Sequence, residues 1–83
     1  MVKAMNVVEL GLLAENGVIL SASIVDAPLE SGFLVHVAIK NRIDEVVMTD
    51  TRHGKTRVFK SIDSAVTTIR KHLKLNGAIQ IWA

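Results

Sequence analysis

At 83 residues, with 49% hydrophobic, 22% charged and 4% aromatic side chains, the chain can build one hydrophobic core and no second independent one. It is too apolar for disorder, and its longest uncharged apolar-rich run, Val18 to Val25, falls far short of the roughly 20 residues that cross a bilayer. Zero cysteines exclude disulfides and thiolate chemistry, while the charge is two-ended: three cations against seven acids in residues 1–50, and seven cations against one acid in residues 51–83.

The expectation is one domain over residues 1–83, α+β in class. Its frame is a small, mostly antiparallel sheet of five to six strands built from hairpins, with one amphipathic helix at about 62–75 and a C-terminal strand. Residues 7–25 read as a hairpin around Glu15-Asn16-Gly17. A three-residue loop, with Gly17 in the left-handed position of a bulge, places Val8, Leu10, Leu12, Val18, Leu20 and Ile24 on one face, and Glu9, Gly11, Ser21 and Ser23 on the other. The connector is Asp26 to Gly32, where Pro28 cannot donate to a ladder.

Phe33 to Lys40 alternates with period two, turning Phe33, Val35, Val37 and Ile39 to one side. After a turn at Asn41 to Asp44, a strand from Glu45 to Thr51 pairs Lys40 with Glu45 and sets Val37 opposite Met48. A further hairpin turns at Arg52-His53-Gly54-Lys55, and its return strand, Thr56 to Lys60, sets Asp50 opposite Arg57 and Met48 opposite Phe59. Ser61 is a helix N-cap, Asp63 suits the first turn, and Ile62, Ala65, Val66, Ile69 and Leu73 recur at helical spacing. Asn76-Gly77 ends the helix, and Ala78 to Ala83 closes as a strand with Ile79 and Ile81 on one side and Gln80 and Trp82 on the other.

Catalytic chemistry finds little footing. His36, His53 and His72 fall on a strand, a turn tip and a helix end, without metal-ligand spacing. No serine sits in a nucleophile elbow, Asp44-Glu45 is a turn pair, and the five glycines are scattered singly, with no phosphate loop among them. The expectation is a non-enzymatic protein without cofactor or metal. An N-terminus lacking the apolar stretch of a secretory signal points to the cytoplasm.

The basic C-terminal part is the remaining candidate. Arg52, His53, Lys55, Arg57 and Lys60 on the hairpin, with Arg70, Lys71 and Lys74 at the helix end, form a candidate DNA-contacting surface whose binding would be salt-dependent and weakly sequence-specific. The same cations could instead keep an apolar protein in solution. High hydrophobicity in so short a chain points to a homo-oligomer, a dimer through a sheet face that one helix cannot cover, or to an acidic protein partner. A protein-interaction module that binds no nucleic acid is therefore the alternative.

The segment Thr51 to Ala65 joins a basic glycine turn to Arg57, Phe59, Lys60, Ser61, Ile62, Asp63 and Ala65 at the mouth of a helix. In this it resembles small plasmid-encoded accessory proteins, including partition-associated ones. The resemblance covers about a fifth of the chain and implies an accessory role in plasmid or mobile-element maintenance, in contact with DNA or with another maintenance protein.

Overall fold

In a computed structural model the structure describes residues 3–27, 31–50, 55–75 and 79–82. The elements run β1 (Lys3–Asn6), α1 (Val7–Glu15), β2 (Ile19–Asp26), β3 (Phe33–Ile39), β4 (Val46–Thr49), α2 (Ile62–His72) and β5 (Gln80–Trp82). The α+β class holds. The sheet has five strands in the order β1-β4-β3-β2-β5 and is mixed, because both outer strands pair parallel, β1 with β4 and β5 with β2. Among these strands β3 alone runs against the others.

The expected hairpin over 7–25 is replaced in its first half by α1. Val7 to Leu13 is apolar nearly all round, so the strand-like alternation of Val8, Leu10 and Leu12 was as available as a helical stripe. Local capping decides between them. The Asn6 side chain accepts from the Glu9 N–H at 2.9 Å, and the Glu9 carboxylate accepts from the Asn6 N–H at 3.1 Å, a complete capping box. At the other end the Val18 N–H reaches the Leu13 carbonyl and the Gly17 N–H the Ala14 carbonyl, with Gly17 at φ 70. That pair of bonds is a Schellman ending, so the left-handed glycine expected in a bulge closes a helix instead. Once α1 exists, it and α2 serve as the crossovers that parallel strands require.

Both hairpin registers beyond β3 lie two residues from expectation. Val37 faces Val46, where Met48 was expected, and Thr49 faces Thr56. A two-residue slip preserves side-chain parity, so the apolar face survives while the Lys40–Glu45 pair does not form. Glu45 instead approaches His36, Oε1 to Nδ1 at 3.8 Å. The strand expected at Thr56 to Lys60 is reduced to isolated bridges, Thr49 with Thr56 and Phe33 with Phe59. The turn at Arg52-His53-Gly54 and the Asn76-Gly77 ending lie outside the described residues.

The helices share one side of the sheet. Leu10 of α1, and Ala65 and Ile69 of α2, are buried with Ala22, Ile24, Val35, Val37, Val46 and Met48 in one apolar cluster. Phe59 joins it from the segment before α2, held by reciprocal backbone bonds with Phe33 at 2.8 Å each way. Gly32 makes that approach possible. Its φ is 142, and a Cβ there would lie 2.5 Å from the Phe59 carbonyl oxygen.

Gly32→Ala is expected to cost at least about 2 kcal/mol, from backbone strain and this collision together. Asn6→Ala is expected to cost about 1 kcal/mol through the lost cap. Urea unfolding followed by circular dichroism measures both; a Gly32→Ala chain as stable as the parent contradicts the close approach.

Candidate nucleic-acid interface

The candidate cations are arranged by α2. Ser61 caps it, its Oγ accepting the Ser64 N–H at 3.2 Å, and Asp63 occupies the first turn. Because Ala65 and Ile69 turn inward, with Leu73 buried just beyond, the opposite side of the helix is fixed as Asp63, Ser64, Thr67, Arg70 and Lys71, all exposed. Lys60 stands exposed just before the cap and Lys74 just after the C-cap residue Leu73. Thus Arg70, Lys71 and Lys74 gather at one end, and Lys60 lies about 15 Å away along the axis, at 1.5 Å per residue.

Lys74 has φ 53, a left-handed conformation that few non-glycine residues adopt. The helix therefore stops at His72, short of the expected Leu75, and a lysine fills the place where glycine is usual. Arg70 Nη1 donates to the Leu75 carbonyl at 3.5 Å, tying the basic end to the chain that leaves it.

The hairpin half of the expected surface behaves differently. Arg52 and His53 lie outside the described residues. Arg57 is half-buried, its guanidinium carbon 4.7 Å from the centre of the Phe59 ring, a cation–π contact that makes it part of the core's edge. Lys55 is exposed and its carbonyl accepts the Asp50 N–H at 2.8 Å, so Asp50 faces Lys55 where Arg57 was expected. Among the described residues no carboxylate is ion-paired with Lys55, Lys60, Arg70, Lys71 or Lys74.

The hydroxyls of Ser64 and Thr67 are the members of this surface that charge counting overlooks, and the Ser64 Oγ–H is already donated to the Ser61 carbonyl at 2.9 Å. Their signal was available, since residues 64, 67 and 71 repeat at the three- and four-residue spacing of one helical face. No group of three His, Asp or Glu side chains gathers as metal ligands among the described residues. A cleft of about 260 Å³ at Asn41, Arg42, Ile43 and Asp44 is the concavity of one turn.

Separate roles for Arg57 and the helical cations predict separate consequences. Arg57→Ala is expected to lower stability by about 1 kcal/mol, through the lost ring contact and side-chain packing, whereas Lys71→Ala stays within about 0.5 kcal/mol of the parent. Thermal or urea unfolding distinguishes them, and equal losses would contradict the assignment. No family model matches this chain, and neither a curated protein nor a solved structure gives a match to it.

Proposed function

We propose that the chain is a non-enzymatic nucleic-acid-binding accessory protein and that the outward face of α2, with Lys60 and Lys74 at its ends, carries the phosphate contacts. The observation behind this reading is one exposed helical face that holds Arg70, Lys71 and the Thr67 hydroxyl beside Asp63, none of its cations ion-paired with a carboxylate among the described residues. Phosphate oxygens are contacted by such groups: cations for charge, and Ser and Thr for short hydrogen bonds. The eleven residues of α2 extend about 16 Å, which matches about five nucleotides of one strand at 3.4 Å each.

Lys60 and Ser64 lie at the helix N-terminus, where the dipole favours an anion; Asp63 is the opposing charge there. Aromatic groups and base-reading amides are absent from this face, so binding is read as weakly sequence-specific. The likeness of residues 51–65 to plasmid-borne accessory proteins supports the same reading, because α2 begins within that segment.

Titration of unrelated labelled duplexes at several salt concentrations tests it. Four phosphate-neutralising cations predict a slope of log K against log salt near about −3.6, and Lys71→Ala is expected to flatten it by about 0.9 on every duplex. Failure to bind at low salt, or an unchanged slope in Lys71→Ala, overturns the assignment.

A further inference from the structure

We infer that α1 of one copy of this chain docks on the outward face of α2 of a second copy and shields the cations there. The contact shares that face with the proposed phosphate contacts but does not depend on them. Leu10 is buried beneath α1, and Val8, Leu12 and Glu15 recur at four- and three-residue spacing on its outward side. Val8 is 61% and Leu12 58% exposed, so α1 shows solvent two apolar side chains in line with an acid. Glu9 stands exposed on the flank.

Glu15 is out of place by local rules. It is the last residue of α1, where the carbonyl end of the helix dipole disfavours an acid, and no basic residue accompanies it in that turn. Among the described residues no cation is ion-paired with Glu9 or Glu15, just as no carboxylate is ion-paired with Arg70, Lys71 or Lys74. One helix thus carries acids that lack cations, and its neighbour carries cations that outnumber its one acid, Asp63. The two lie side by side on the sheet, since a Cβ on Gly11 would sit 3.5 Å from the His72 carbonyl oxygen.

A two-fold axis between the helices sets α1 of each copy over α2 of the other and makes the acid–base contact twice. Val8 and Leu12 then cover the aliphatic stems of Arg70 and Lys71 and the Thr67 methyl group. Setting α1 on α1 instead would bring each Glu15 against its own copy. Charge therefore selects the occupant, because a second copy supplies both what α1 lacks and what α2 lacks. The helices extend only about 14 and 16 Å, so the contact falls in the weak, transient class, held by charge and lost in salt. A bound α1 and a bound phosphate backbone exclude each other on α2.

Sedimentation equilibrium on the native chain at low salt is expected to show the average mass climbing with concentration from 9.1 kDa towards twice that value. It is expected to return to protomer mass at about 1 M salt, where the screening length is about 3 Å. Glu15→Lys and Lys71→Glu should each stay at protomer mass alone, because each sets like charges at the contact. Mixed in equal amounts they should associate, since each then meets its opposite. Glu15→Lys suits the carbonyl end of α1, so circular dichroism should find it folded. The inference is overturned if the native chain stays at protomer mass at low salt up to millimolar concentration, if Glu15→Lys associates as the native chain does, or if the mixture stays at protomer mass. Should Lys71→Glu fail to fold, Glu15→Lys decides on its own. A chain that binds duplex without self-association overturns the α1–α2 contact alone, whereas one that self-associates without binding duplex overturns the phosphate contacts alone.

Discussion

The reciprocal backbone bonds between Phe33 and Phe59 organise the C-terminal half of this fold. They hold the segment before α2 against the start of β3, two residues ahead of the Ser61 cap, and so determine where α2 begins and how it lies on the sheet. Burying the Phe59 ring beside the half-buried Phe33 requires close backbone approach, which is possible because residue 32 has no Cβ. The same bridge presents the Phe59 ring to Arg57 and draws that cation out of the exposed basic surface. One pair of aromatic residues thus places the helix and selects which positive charges stay in solvent.

α2 and β3 were legible in the sequence because each states one pattern twice. α2 combines Ser61 and Asp63 at its start with apolar residues at helical spacing, and β3 alternates without exception. The N-terminal third was not legible from alternation, since a segment apolar on nearly every side satisfies both periods. There the end signals carried the information: Asn6 with Glu9 at one end, Asn16-Gly17 at the other. Reading Gly17 as a turn glycine was right about its φ and wrong about the element it closes. The mixed sheet followed from that single substitution of helix for strand.

The candidate site was legible as charge and not as geometry. A count of cations treats Arg57 and Lys71 alike, yet one leans on an aromatic ring and the other projects from a solvated helix face. The Thr49–Thr56 register adds to it by setting Asp50 opposite Lys55 and lies two residues from the one that hairpin rules suggested, which paired Asp50 with Arg57. A shift of two changes partners without changing faces, so hydrophobic pattern alone could not detect it. The weight of the proposed surface accordingly moves from the hairpin to α2.

The outer strands have a bearing on how the chain reaches this structure. The β2-β3-β4 core joins neighbours in sequence through antiparallel pairing, but β1 must find β4 from Met5 to Met48, and β5 must find β2 from Gln80 to Ser23. Contacts so far apart are formed after local ones, because loop-closure entropy is lost before they stabilise anything. The meander is therefore expected to condense first and the two edges to dock last, with the fastest native-state hydrogen exchange of the sheet expected at those edges.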